Sequence, residues 1–528
     1  MASIPLRESL LPNDNRPTQA PVVTVVVTAA PLLLAIAGSA LAPLPCAFSL
    51  AGVSGGTALL LAIGMANDYT TVLMVRAASR CGVTGYEEVV SAAGGPRALW
   101  WCRAALVLLL FGTICGALAA IQETGDRAIV QLFPAWSQGH PGTGGTSVLV
   151  GATVLVLLPL STASLGELPF VSVLGVLMML GLAGYVVFLA ASDTAGGNSP
   201  TLSGQVNINT LAERQAPQQL LQADASSGGM LSFSEAASTF GYAFYVQPCA
   251  IPLLRTLPAG DEGARLLCHS VHLTFIVTAL AYLCVGLGGL LYFGEGHVPQ
   301  NLLQGFSGRV GGTLAGVFCT YLMLCVSPIV VPLRETLVRL YREQSHLQTN
   351  AVGLTTRRWS GASSSAAAAA ADPAVLDPGP NALATAGIVG AALIVAVLLP
   401  NASSALFALT GATGVCAIGY CFPIFAYWTL PPQLGGAAAP IDSLSSKVGE
   451  PYNPFVTPQW TRPNEEPVAA PLQRPADATA ALRQRNLLVA RVLPAAVLML
   501  GVGVSIFTLI EVFDQVVEQR TTCSVDVE

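Results

Sequence analysis

Charge is what this chain is short of. Of its 528 residues only 10% are Asp, Glu, Lys or Arg, where soluble globular domains carry about 25%. A single lysine, Lys447, stands against 22 arginines, and the formal net charge is -6. No basic excess is available to neutralise phosphates, which argues against nucleic acid as a partner. Metal-ligand patterns are missing as well: there is no HExxH, no CxxC and no acidic metal cluster. No metal and no cofactor is expected, and nothing points to an enzyme. The 12 cysteines are not a disulfide framework, since ten fall in or beside apolar runs. There they read as small apolar residues.

Long apolar runs are what the chain has. Hydrophobic residues make up 53% and mean hydropathy is +0.63. About 20 apolar residues cross a bilayer as a helix. Eleven segments qualify, near 22–48, 54–75, 104–122, 146–162, 168–191, 231–254, 271–293, 311–333, 383–400, 404–430 and 492–510. The fold class expected is an all-α polytopic membrane protein of about 11 transmembrane helices. The first run is longer than the apolar region of a signal peptide and follows a polar leader of about 20 residues. With the N-terminus cytosolic, the connections on that side hold 19 of the 23 basic residues. Only Arg127, Arg214, Arg309 and Arg520 fall opposite. That asymmetry follows the positive-inside rule and puts the C-terminus on the non-cytosolic side.

The expected organisation is a cytosolic tail at 1–21, a first group of five helices at 22–191 and a non-cytosolic loop at 192–229. A second group of five follows at 230–430, interrupted by a low-complexity cytosolic linker at 340–382. A Pro-rich cytosolic linker spans 431–485, an eleventh helix 486–512 and a non-cytosolic tail 513–528. No fold is assigned to the linkers and tails. The stretch "ESLLP" at 8–12 has the form of a sorting signal but is short enough to arise by chance.

The first run, 22–53, carries no charge, yet its middle reads "IAGSALAPLP", with Gly38, Ser39, Pro43 and Pro45. A proline inside a helix removes a donor at roughly 3 kcal/mol. The sixth run, "LSFSEAASTFGYAFYVQPCAIPLLRTL", is interrupted in the same way by Gly241, Pro248 and Pro252. Runs one and six are five apart, and five is odd, so a repeat of five spans inserts upside down. Interrupted helices at matching places in two halves point to a transporter site at the bilayer midplane. Irregular backbone survives there when it lines a polar cavity. Half-helix N-termini attract a carboxylate and half-helix C-termini an ammonium group. A zwitterionic amino acid suits both. The alternative is that these prolines only kink their helices.

Several motifs then resemble one family in order. In the first run, "GSALAPLPCAFSLAG" resembles a G-x-G-x-L-x-L-P-x-A-F-x-x-x-G pattern, with Ala40 replacing the second glycine. "TGYEEV" (84–89) and "LFGTICGALAAIQETGD" (110–126) follow. "FYVQPCAIPLLRTL" resembles the sixth span's F-x-x-H-P-x-x-L-P-I-Y, with Gln247 where histidine is usual. "YFGEGHVPQNLL" (292–303) and "LLPNASSALFALTGATGVCAIGYCFPIFAY" (398–427) complete the series. Together they resemble the amino acid/auxin permease family, in the branch of sodium-coupled neutral and vacuolar amino acid transporters. The resemblance runs from about residue 30 to 430. It implies a LeuT-like fold, a 5+5 inverted repeat plus one helix, and secondary active transport of neutral amino acids.

The substrate residues expected are Ala37, Gly38, Ser39, Ala40 and Leu41 at the first break, faced by Gly241, Tyr242 and Phe244. Phe111, Gly112, Gly411 and Thr413 would line the sides. Helix packing is the other reading of each glycine. Sodium-coupled relatives place oxygen-bearing side chains where Leu34, Met323 and Cys325 stand here. A hard cation wants oxygen, and of the neighbours only Ser327 offers a hydroxyl. The coupling ion favoured is therefore H+ over Na+. Asp68 and Glu235, the two charged side chains inside the runs, are the proton candidates. Each has a plainer reading, Asp68 as a hydrogen-bonded packing residue and Glu235 as an interfacial one. All five histidines read as interfacial or solvated. The sequon Asn401-Ala402-Ser403 lies too near the bilayer for easy glycosylation.

The partners implied are an amino acid and the lipid bilayer, in the plasma membrane or a vacuolar or endosomal one. A sodium symporter and an amino-acid sensor on the same fold are the rival functions.

Overall fold

A computed structural model describes residues 21–135, 144–162, 169–195, 229–294, 298–299, 301–356, 378–399, 403–430 and 491–525. The 1–20 leader with its "ESLLP", most of the 192–229 loop, the 431–485 linker, His140, His297 and Asn401 lie outside the described residues. All regular structure among the described residues is helical. Eight helices are long and apolar enough to cross a membrane, and two shorter apolar helices, Val22–Ile36 and Ala382–Leu398, join them.

The first apolar run forms α1 (Pro21–Ala37), a 3-10 turn (Ser39–Leu41) and α2 (Leu44–Ala51). The break falls at Gly38 and the 3-10 turn, upstream of the prolines. Pro43 is the N-cap of α2 and Pro45 sits in its first turn, where a missing N–H costs nothing because it has no helical partner anyway. The prolines thus start the second half rather than interrupt the first. α3 (Val53–Cys81) leads to α4 (Tyr86–Leu132). Gly95, at φ +70°, kinks α4 ahead of Pro96. A residue with a side chain pays to adopt that φ. The kink separates a short polar stretch, 86–94, from the apolar part of the helix.

α5 (Gly144–Ala152) continues through a π turn (Thr153–Leu157) into α6 (Leu158–Thr162), and α7 (Pro169–Ala195) follows. The sixth run gives α8 (Gly229–Ala243), an irregular interruption at 244–246, α9 (Gln247–Ala250) and a 3-10 helix (Ile251–Thr256). Pro248 again opens the second half. Gly241, read from sequence as part of the break, lies inside α8. α10 (Asp261–Phe293) and α11 (Gly308–Thr356) are long and continuous. α12 (Pro378–Leu398) precedes α13 (Ser403–Thr410), which runs through a π-helix (Gly411–Cys421) into α14 (Phe422–Thr429). α15 (Leu493–Val525) is the last helix.

Two segments left without structure in the sequence reading are helical. α11 extends to Thr356, well into the 340–382 linker, and α15 reaches Val525, through most of the 513–528 tail. The α11 extension has a physical cause. Arg103 forms a two-pronged pair with Glu343, at 2.6 and 2.7 Å, and Arg339 reaches Glu88 at 2.5 Å. Glu343, which looks like linker composition, and Arg339 thus fasten α11 to α4 on both sides of its kink.

Candidate functional site

The two interrupted runs meet. α1 ends at Ala37 and α8 at Ala243, so the last carbonyls of each half-helix lack a helical donor. Two of them, Ile36 O and Ala243 O, converge on the hydroxyl of Tyr282, at 3.2 and 2.9 Å. Tyr282 is fully buried on α10. A hydroxyl carries one proton, so it serves one carbonyl at a time and leaves the other open. Two half-helix C-termini also bring two negative dipole ends to one place. That is a site for a positive group.

α10 is guided there by a polar stripe. Ser270 bonds to Val25 O at 3.0 Å and Thr274 to Ala29 O at 3.5 Å. With Tyr282 they lie on one face at multiples of four residues, running alongside α1.

Beside the break is a cavity of about 20 Å³, room for roughly one water. Ala35, Ile36 and Gly38 line it from α1, Thr113 and Ala117 from α4, Tyr242 and Tyr245 from the end of α8. Leu322, Cys325, Val326 and Ile329 of α11 close the far side. Tyr245 donates its hydroxyl proton to Thr113 Oγ1 at 3.0 Å, and Thr113 donates to Leu109 O at 2.7 Å. Among the described residues, no acidic or basic side chain lines the cavity.

A buried amide network sets the second break. Gln247 Oε1 accepts from Val246 N at 3.0 Å, satisfying a donor at the start of α9. Its Nε2 donates to Asn67 Oδ1 at 3.1 Å, and Asn67 donates to Tyr420 OH in the π-helix at 2.7 Å. Both amides are fully buried. Gln247 therefore ties α9 to α3 and the π-helix with neutral groups alone.

The segment after α10 sits on the first break, with Leu302 N bonded to Ala42 O at 2.8 Å. Arg127 holds that segment through Leu303 O at 2.7 Å. At the opposite, arginine-rich end, Arg255 pairs with Glu335 at 3.2 Å. Arg103 bonds the buried Glu87 at 2.5 Å as well as Glu343.

Of the residues expected at the site, Gly38 and Tyr242 line the cavity. Ala37 and Ser39 flank Gly38 in the chain, but their side chains are outside the described residues. Ala40 and Leu41 are buried in the core. Phe111 packs partly buried against that core, and its neighbours two and six residues on, Thr113 and Ala117, take the cavity face. Gly112 is a packing position: a Cβ there would stand 2.5 Å from Thr410 Oγ1. Gly411 abuts Tyr242, its missing Cβ 3.2 Å from that of Tyr242, and Gly241 faces Val504 of α15. Phe244 stacks edge-on against Tyr282, ring centroids 5.2 Å apart. Thr413 bonds to its own helix at Leu409 O, 2.7 Å away.

Asp68 is away from the cavity, and His272, read from sequence as interfacial or solvated, is its partner. The His272 Nδ1 lies 2.8 and 2.9 Å from the two carboxylate oxygens. The exposed stripe of α10 changes at this residue from Arg265 and His269 to Ile276 and Leu280. The pair therefore marks the polar boundary of the helix rather than its apolar depth. The side chain of Glu235 lies outside the described residues. Of the residues weighed for a coupling ion, Leu34 is buried against Gly175, Met323 is buried, Cys325 lines the cavity, and the neighbouring Ser327 donates to Leu324 O at 2.9 Å.

Sequence reasoning missed Tyr282, Tyr245, Thr113 and Ala117. Tyr282 had a signal, the four-residue polar stripe of α10. Thr113 and Ala117 had none beyond proximity to Phe111.

An integral, multi-pass bundle with two interrupted helices beside a small cavity is a membrane transporter of small molecules. A family model described as transmembrane amino acid transporter protein matches residues 22–433, and the chain belongs to that family. Membership carries a transport role rather than a catalytic one. No curated protein matches the chain. Among solved structures, two mutants of a manganese transporter from Eremococcus coleocola align at 13% identity. They cover 93% of this chain and 96% of theirs, at a TM-score of 0.39. The same transporter bound to an aromatic bis-isothiourea compound gives 13% identity, 96% and 97% coverage and a TM-score of 0.39. A likeness this distant carries no fold or substrate across.

Proposed function

We propose that the chain is a secondary active transporter of small neutral amino acids, coupled to H+ rather than Na+. Its two groups of five helices, 22–191 and 230–430, would act as inverted repeats of a LeuT-like fold, with 486–512 as the eleventh helix. The observation that carries the reading is the meeting of Ile36 O and Ala243 O at Tyr282, beside the cavity. An ammonium group would take these carbonyls, and the free backbone N–H groups after Gly38 would take a carboxylate. The substrate side chain would point toward Ala117, Cys325, Val326 and Ile329. Those neighbours are aliphatic or a neutral thiol and cannot pay for burying a charge. At about 20 Å³ the cavity must widen even for alanine, so bulky aromatic side chains are disfavoured. Neutral groups at Leu34, Met323 and Cys325 support the proton over sodium.

The test is exchange of labelled alanine across proteoliposomes, with unlabelled amino acids as competitors. Alanine, glycine and serine should compete, and aspartate, lysine and tryptophan should not. Ala117→Leu should cut exchange by about tenfold or more, the loss expected of about 1.4 kcal/mol, while the protein elutes as a monodisperse peak. Normal alanine exchange in Ala117→Leu would remove the cavity from the account.

A further inference from the structure

We infer that Glu123 is the group through which protons act on the outer end of this transporter, by fastening or releasing α13; the inference rests on the transport reading above. Its carboxylate caps the start of α13. Ser403 donates its backbone N–H to Oε1 at 3.3 Å and its Oγ–H to Oε2 at 2.9 Å. Glu123 is half-buried at the end of the bundle opposite the arginine-rich one.

The cap is the outermost fastening of a seam between two helices. Below it, Gly116 of α4 lies against the ring of Phe407, Gly112 against Thr410, and Gly414 against Leu109. Small residues let the two backbones approach, as membrane helices do when they pack tightly. The seam leads to the cavity. The Phe407 ring is 4.9 Å from that of Tyr242, centroid to centroid, and Tyr242 lines the cavity wall. Among the described residues, Glu123 alone in this seam carries a charge.

Its surroundings leave protonation as the means of change. On α4 itself, Asp126 accepts from Gly145 N at 3.1 Å, and Arg127 is held by Leu303 O at 2.7 Å. From α5, Thr146 is engaged by Gln122 at 3.2 Å. From α13 only Ser403 reaches the carboxylate, and no charged side chain among the described residues acts on it. A carboxylate in that position favours the positive N-terminal end of α13. Taking up one proton from the aqueous phase turns the carboxylate into a neutral acid. One oxygen then becomes a donor facing the Ser403 donors, the charge is lost, and the cap weakens. α13 is released beside Tyr242 when the outer solution is acidic and held when it is neutral.

The experiment compares wild type, Glu123→Gln and Ser403→Ala in alanine exchange at equal pH on both sides of the membrane, from mildly acidic to neutral. Wild-type exchange should rise as pH falls. Glu123→Gln, a permanent mimic of the neutral acid, should exchange at the acidic level throughout and lose the pH dependence. Ser403→Ala removes one of the donors that favour the charged form, so its midpoint should move to higher pH. Glu123→Gln with an unchanged wild-type profile, or Ser403→Ala with an unmoved midpoint, would overturn the role of Glu123 and leave the transport reading intact. Absence of any alanine exchange in the wild type would take down both.

Discussion

Tyr282 shows how one side chain organises the break. Its hydroxyl joins Ile36 O and Ala243 O, and its ring packs against Phe244. A hydrogen bond is worth about 0.5–1.5 kcal/mol net. Tyr282→Phe keeps the ring and removes the bond, so the KM for alanine should change by up to about tenfold with little loss of thermal stability. An unchanged KM would mean that the two carbonyls do not hold substrate. At this scale the sequence was least legible. Glycines were chosen because they permit close approach, and Gly38 does face the cavity. Gly112 and Gly411 instead make room for Thr410 and Tyr242, contacts set by helices far away in the sequence. Composition cannot say which side of a helix a small residue serves. The cavity face of α4 is one residue's rotation from Gly112, at Thr113.

The interruptions of elements were legible because their causes are local. Gly38, Pro43 and Pro248 act through backbone chemistry that needs no partner. Within each break the prolines stand at the start of the second half-helix, where a proline in the first turn fits. The extension of α11 was hidden because its support is tertiary. Arg103 is buried between Glu87 and Glu343. Removing one partner of a buried pair leaves an uncompensated charge and costs about 3–5 kcal/mol. Arg103→Ala should therefore lower the melting temperature clearly in detergent, whereas Lys447→Ala, in the Pro-rich linker, should not. Equal melting temperatures for the two variants would show that the pairs are surface decoration. Arg103→Lys should recover part of the loss, because an ammonium cannot reproduce the two-pronged contact with Glu343.

At the scale of the whole molecule, contacts at both ends of the bundle tie the elements together. Leu302 N bonds Ala42 O after the first break, and the Arg255–Glu335 pair lies at the arginine-rich end. In the proposed proton-coupled cycle such contacts would break and re-form in turn, driven by an ion gradient. Bilayer insertion was legible from apolar length and from the low charge content. The choice of coupling ion is a matter of a few side chains, Leu34, Met323, Cys325 and Ser327, and of where the proton-carrying carboxylate sits. The most direct measurement is uptake of labelled alanine into proteoliposomes under two conditions. One imposes an inward pH gradient without sodium; the other imposes a sodium gradient without a pH gradient. The account predicts accumulation above the outside concentration with the pH gradient alone. Accumulation that requires sodium, or saturable binding with no accumulation under either gradient, would contradict it.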